Sequence, residues 1–133
     1  MIRVFLSVPM KGRTDEEVVK QLEEMKSYVT SSHIFGDEEI VFVHNYFYKP
    51  VKTVAISEDN IVTTKKAPCY PLLYLAGAFE KMAVCNAVML GKDWNKYRGC
   101  RLEKDAAVYY GLPVYHCDSL ERLQRYVEEA KSH

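Results

Sequence analysis

The chain has 133 residues, of which 48% are hydrophobic and 27% charged, and this balance excludes the disordered and fibrous classes. Eighteen Lys and Arg offset eighteen Asp and Glu, so the basic excess expected of a non-specific nucleic-acid binder is missing. No apolar run is long enough to cross a bilayer, and the apolar start before Pro9 is too short for a signal peptide, so the sequence reads as one cytoplasmic domain.

The elements follow in chain order. Ile2 to Ser7 is a β-branched and aromatic run that stops at Val8-Pro9 and predicts a buried strand. Thr14 and Glu17 form a capping box that opens a helix, and Val18, Leu22, Met25 and Val29 give it one apolar face. Gly36-Asp37 breaks the chain before a second strand, Ile40 to His44. No helical period runs from Asn45 to Tyr70. Residues 48–70 read as a long loop or small hairpin that acts as a lid or binding segment.

Pro71 suits the first turn of a second helix, whose predicted core stripe is Leu72, Leu75, Ala76, Phe79, Met82 and Ala83. Ala87 to Leu90 is a third strand, Leu102 to Tyr110 a helix, and Leu112 to His116 a fourth strand. Asp118 or Ser119 caps a last helix with Leu120, Leu123, Val127 and Ala130 on its core face. This alternation predicts an α/β fold, a flavodoxin-like or Rossmann-like doubly wound parallel sheet of four to five strands with helices on both faces. Ligands of such sheets sit beyond the carboxyl ends of the strands. Residues 7–13, 44–48, 91–103 and 116–119 follow strands and reach that edge.

The first of these segments, SVPMKGR, brings a hydroxyl, two cations and Gly12 to a helix N-terminus, a place that favours anions or sugar hydroxyls. Neither a Walker loop nor GxGxxG is present. The third segment holds the only tryptophan, Trp94, beside Asp93 in a polar loop. Glu103 then falls in the opening turn expected of its helix, where the helix dipole keeps a carboxylate ionised. Plainer readings stand beside these: a strand-to-helix turn, a loop anchor and an ordinary acidic first-turn residue. His44 and His116, at strand ends, read as hydrogen-bonded scaffold. The four cysteines form no CxxC pair and read as reduced thiols, and neither a cofactor nor a metal is implied.

Taken together, Ile2 to Arg13 and the series Trp94, Gly99, Glu103, Ala107 and Gly111 resemble the nucleoside 2-deoxyribosyltransferase-like family, in its small, often phage- or prophage-borne branch. The resemblance spans most of the chain outside residues 48–70. It implies a site for a nucleoside or its 5′-monophosphate, with Glu103 as nucleophile at the anomeric carbon. Ser7, Pro9, Met10, Gly12 and Gly99 would hold the sugar or phosphate side, Arg13, Arg98 or Arg101 would supply the charge for a monophosphate, and Tyr46, Phe47 or Trp94 would stack on the base. Three positions depart from the family's pattern: Val8 replaces a Gly, Tyr97 replaces a Ser, and Gly77, Ala78 and Phe79 occupy the place of the Asp that serves the departing base. Asp93 or Glu80 is left to fill that last role.

The resemblance also implies homo-oligomers, an expectation that ten tyrosines, among them Tyr109, Tyr110 and Tyr126, reinforce. A nucleotide-binding protein without efficient catalysis is the alternative function. A protein-interaction domain using the 45–70 loop is a third.

Overall fold

A computed structural model describes residues 1–46 and 69–117. The elements are β1 (Ile2–Ser7), α1 (Asp15–Ser32), β2 (Ile40–Val43), α2 (Tyr70–Ala83), β3 (Ala87–Leu90), a 3₁₀ turn (Trp94–Lys96), α3 (Arg98–Tyr109) and β4 (Val114–His116). The expected lid or hairpin, Phe47 and the expected last helix lie outside the described residues. No helix among the described residues is long and apolar enough to cross a membrane.

The four strands form one parallel sheet in the order β2-β1-β3-β4. Ile2 pairs with Ile40 on one side of β1, while Val4 pairs with Ala87 and Ser7 with Leu90 on the other. Side chains alternate across a strand, and β1 divides accordingly. Val4, Leu6 and Val8 pack with Val18, Leu22, Met25 and Val29 of α1. Phe5 packs on the other side with Ala78 and Met82 of α2 and Ala107 of α3. Helices therefore cover both faces of the sheet, as expected of a doubly wound fold. The α1 start is the expected one: the Glu17 amide donates to Thr14 Oγ1 (3.2 Å) and the Thr14 amide donates to Glu17 Oε1 (3.3 Å).

Three expectations are corrected. In α2 the buried residues are Gly77, Ala78 and Met82, whereas Leu72, Ala76, Phe79 and Ala83 of the expected core stripe are exposed. Small side chains let this helix sit close to the sheet, so its bulkier face turns outward. Helix α3 begins at Arg98, not Leu102, because Gly99 and Cys100 join its first turn and Cys100, Glu103 and Ala107 form its buried face. Glu103 thus lies in the second turn. Strand β4 begins at Val114, since the Leu112 amide donates back to the Ala107 carbonyl (2.8 Å) and closes the end of α3.

Candidate functional site

The chain leaves β1 towards β2 and leaves β3 towards β4, so the strand order reverses between β1 and β3. Ligand sites of open parallel sheets form at such a switch point. Here the Gly91 amide, just past β3, donates to the carbonyl of Ser7 at the end of β1 (2.9 Å). Ser7 follows Phe5 by two residues, so its side chain points to the α2 and α3 face. There the Ser7 hydroxyl donates to Glu103 Oε1 at 3.1 Å. Ser7 is fully buried and Glu103 keeps 8% exposure.

Burial governs this carboxyl. Loss of hydration raises the Glu103 pKa to about 7, and the Ser7 hydroxyl opposes part of that rise by stabilising the charged form. In the opening turn of a helix the dipole would keep the Glu103 carboxylate ionised. Its place in the second turn and its burial reverse that expectation, because the dipole effect fades beyond the first turn. Near neutral pH the group divides between its two protonation states, the condition suited to acid–base or nucleophilic work. Cys100, also buried, meets the same hydroxyl, and burial pushes its thiol up to about 12, so it remains neutral.

Removing the Ser7 hydroxyl tests this electrostatic balance. In Ser7→Ala the Glu103 midpoint is expected to move further up, by about one pH unit, given the worth of a hydrogen bond to a charged group. A carboxyl-carbon NMR titration would read it.

The other expected site residues divide between the two sides of the sheet edge. The Arg13 guanidinium donates to the Pro9 carbonyl (2.9 Å), to Gln21 Oε1 and to the Glu17 carbonyl (3.4 Å). Pro9 is buried, and Met10, half-buried, packs on the α1 side and accepts the Arg13 amide at its carbonyl (3.1 Å). Gly12 takes a φ of 75°, which shapes the turn before α1. The Tyr46 hydroxyl is hydrogen-bonded to the Asp15 carboxylate. Asp93 is exposed, left-handed in backbone and paired with Lys96 at 3.4 Å. Trp94 packs on the α2 and α3 side, edge-on to the buried His116 ring at 5.4 Å. Arg98, Gly99 and Arg101 are exposed at the start of α3.

A cavity of about 570 Å³ opens on the α1 side, lined among others by Arg13, Gln21, Lys92, Asp93, Tyr97 and Cys117. Its size lies within the usual range for small-molecule sites. Glu103 does not line it. Of the charges that line the cavity, Arg13 lies beside Glu17 at 4.0 Å and Asp93 pairs with Lys96 at 3.4 Å, whereas the buried pair joins a hydroxyl to a carboxyl at the switch point. Of the residues expected at the site, the structure joins Ser7 directly to Glu103, while Arg13 approaches the same cluster closely enough to act on the Cys100 thiol.

One residue, Gln21, was missed, whereas Asn45 falls in the 44–48 segment expected at the edge. Gln21 is a buried polar residue of α1 that accepts from Arg13 and donates to the Lys92 carbonyl (3.2 Å), tying the loop after β1 to the loop after β3. Its position, three residues after Val18 and four before Met25, placed it on the core face and was the available signal. Asn45, also buried, donates to the Tyr74 carbonyl (2.7 Å) and accepts from Lys81 (2.6 Å), fixing the end of β2 against α2.

Gly91 lies beneath the Gln21 tie. A Cβ there would stand 2.6 Å from Gln21 Nε2, 3.2 Å from Met25 Sδ and 3.3 Å from the Ser7 carbonyl oxygen. Gly91→Ala is therefore expected to displace the Gln21 amide and destabilise the fold by about 1–3 kcal/mol, measured by urea unfolding.

Fold and site together describe a doubly wound α/β protein with a buried hydroxyl–carboxyl pair at its switch point. Among known proteins, no family model, no curated protein and no solved structure matches the chain.

Proposed function

We propose that the protein is an N-glycosyl enzyme of the nucleoside 2-deoxyribosyltransferase-like kind, acting on a nucleoside or its 5′-monophosphate with Glu103 as nucleophile. The observation that carries this reading is the buried Ser7–Glu103 hydrogen bond at the end of β1, beside the switch point. With Oε1 held by Ser7, Oε2 is the atom offered to C1′. As the Oε2–C1′ bond forms, the C1′–N bond breaks and its electron pair leaves with the base, which takes a proton from solvent. Water then attacks C1′, the carboxylate departs, and free sugar and a proton result. A second base in place of water gives transfer instead of hydrolysis.

The binding-only reading also has an observation in its favour. Ala78, where the resemblance expects an acid, is 2% exposed within the apolar cluster beneath α2, so that position offers the base no proton. A positioned acid contributes about 10²- to 10⁴-fold, and its lack slows the chemistry accordingly.

Chromatographic assay of base release separates the readings. Ribo- and deoxyribonucleosides and their 5′-monophosphates would be incubated with the protein, with and without an acceptor base, alongside a thermal-shift panel. Base release is the expected result, and dependence on the acceptor marks a transferase. Stabilisation by a nucleotide without release from any compound would overturn the enzyme reading and leave the binding protein.

A further inference from the structure

Three polar side chains are packed together on the α2 and α3 side of the sheet. Ser7 of β1 is fully buried, Cys100 keeps 3% exposure and Glu103 keeps 8%. Cys100 and Glu103 lie one turn apart on the buried face of α3. The Ser7 hydroxyl serves both: it donates to Glu103 Oε1 at 3.1 Å and is hydrogen-bonded to the Cys100 thiol. The chemistry proposed above uses Ser7 and Glu103 and gives Cys100 no part.

Proton counting fixes the direction of the bond to the thiol. A serine hydroxyl carries one proton and two lone pairs, and an ionised carboxylate only accepts. When Glu103 is charged, the Ser7 proton is therefore committed to Oε1, and Ser7 Oγ meets the thiol with a lone pair. Burial holds the thiol neutral, with its proton on sulfur. The hydrogen bonds then run one way, from Cys100 Sγ–H to Ser7 Oγ–H to Glu103 Oε1. Each bond polarises the next, so even a weak S–H donor strengthens the bond that Ser7 makes.

Among the described residues nothing else competes for the hydroxyl. Arg13 acts on the thiol, but its guanidinium is engaged by the Pro9 and Glu17 carbonyls and by Gln21. Helix α2 buries Gly77, Ala78 and Met82, and β3 brings Val88 and Leu90 to this side. His116 of β4 is turned to Trp94.

We propose that Cys100 is a positioning residue, whose thiol donates to Ser7 Oγ and so holds the Ser7 proton on Glu103 Oε1. The assignment rests on the buried trio and not on the glycosyl reading, and its tests use no substrate. Ala and Ser leave nearly the same space at position 100, so the difference between them reads the donor rather than the packing. The Glu103 midpoint, followed by carboxyl-carbon NMR, is expected to lie about one pH unit lower in Cys100→Ser than in Cys100→Ala, with the wild type between them. In a Ser7→Ala background the two variants are expected to share one midpoint, because the hydroxyl that connects them to Glu103 is gone. Equal midpoints with Ser7 present, or a difference that persists without it, would each overturn the proposal. Far-UV circular dichroism checks that each variant folds.

Infrared spectroscopy of the wild type gives a second measurement that needs no variant. Ionised Glu103 draws on the Ser7 proton, which makes Ser7 Oγ a better acceptor and strengthens the bond from the thiol. One S–H stretching band is therefore expected to move to lower wavenumber as pH rises, with its midpoint at about 7, where Glu103 gives up its proton. A thiol that itself ionised would lose its band instead of shifting it, and Cys100, pushed up to about 12 by burial, keeps its proton throughout. The absence of any band that moves with that midpoint would overturn the proposal.

Discussion

Glu103→Gln is expected to be more stable than the wild type above pH 7, by roughly 3 kcal/mol. The carboxyl has a pKa of 4.5 when unperturbed and about 7 in the folded chain, where burial disfavours its charge. Below pH 4.5 both folded and unfolded chains hold the proton, and the site costs nothing. Between 4.5 and 7 the unfolded chain ionises first, so wild-type stability falls as pH rises. Above 7 the folded chain also ionises, and the full cost persists. An amide never ionises, and its carbonyl still accepts from Ser7. The advantage of the variant should therefore be near zero at pH 4.5, grow to pH 7 and then level off. For a domain of this size the plateau corresponds to a difference in Tm on the order of 10 °C. Thermal unfolding of both proteins from pH 4 to 9 would measure it, and a pH-independent difference would show that the Glu103 charge is not buried in the folded state.

Activity should move the other way. The proposed nucleophile must be ionised, so base release by the wild type is expected to rise with pH and level off above about 7, the value at which Glu103 gives up its proton. Glu103→Gln removes the atom that forms the bond and is expected to lose at least about 10³-fold in kcat/KM at pH 8. The same variant would then be both the more stable protein and the inactive one. Such an exchange of stability for function arises where a charge is held buried because the reaction needs it. Base release followed against pH for both proteins tests this, and a Gln variant within tenfold of the wild type would remove Glu103 from the chemistry.

Much of the fold was legible because the signals were local. β-branched runs marked the central strands, and the Thr14–Glu17 box marked the start of α1. Strand–helix alternation implied the parallel order, since right-handed crossovers leave few others. The orientation of α2 was not legible. A stripe of Leu and Phe reads as core by hydrophobicity, yet Gly77 and Ala78 take the sheet-facing positions because small residues permit close approach. The start of α3 was misplaced for a similar local reason. Gly99 resembles a helix breaker, but it stands in the first turn, where its backbone is less constrained by neighbouring turns.

That misplacement mattered for the site. The resemblance alone singled out Glu103 as nucleophile, and its charge state depends on the burial of Ser7, Cys100 and Glu103 together, a tertiary property. The Gln21 tie was hidden because polar residues are read as surface. Asp93 and Tyr46 were grouped with Glu103 only by the family resemblance. The structure engages them with Lys96 and Asp15 instead.

Intact-mass spectrometry with peptide mapping, on protein quenched in acid during turnover of a nucleoside, tests the central claim most directly. The account predicts a covalent adduct of one sugar residue on the peptide containing Glu103, absent from Glu103→Gln. Base release that proceeds without any adduct, and that survives in Glu103→Gln, would contradict it.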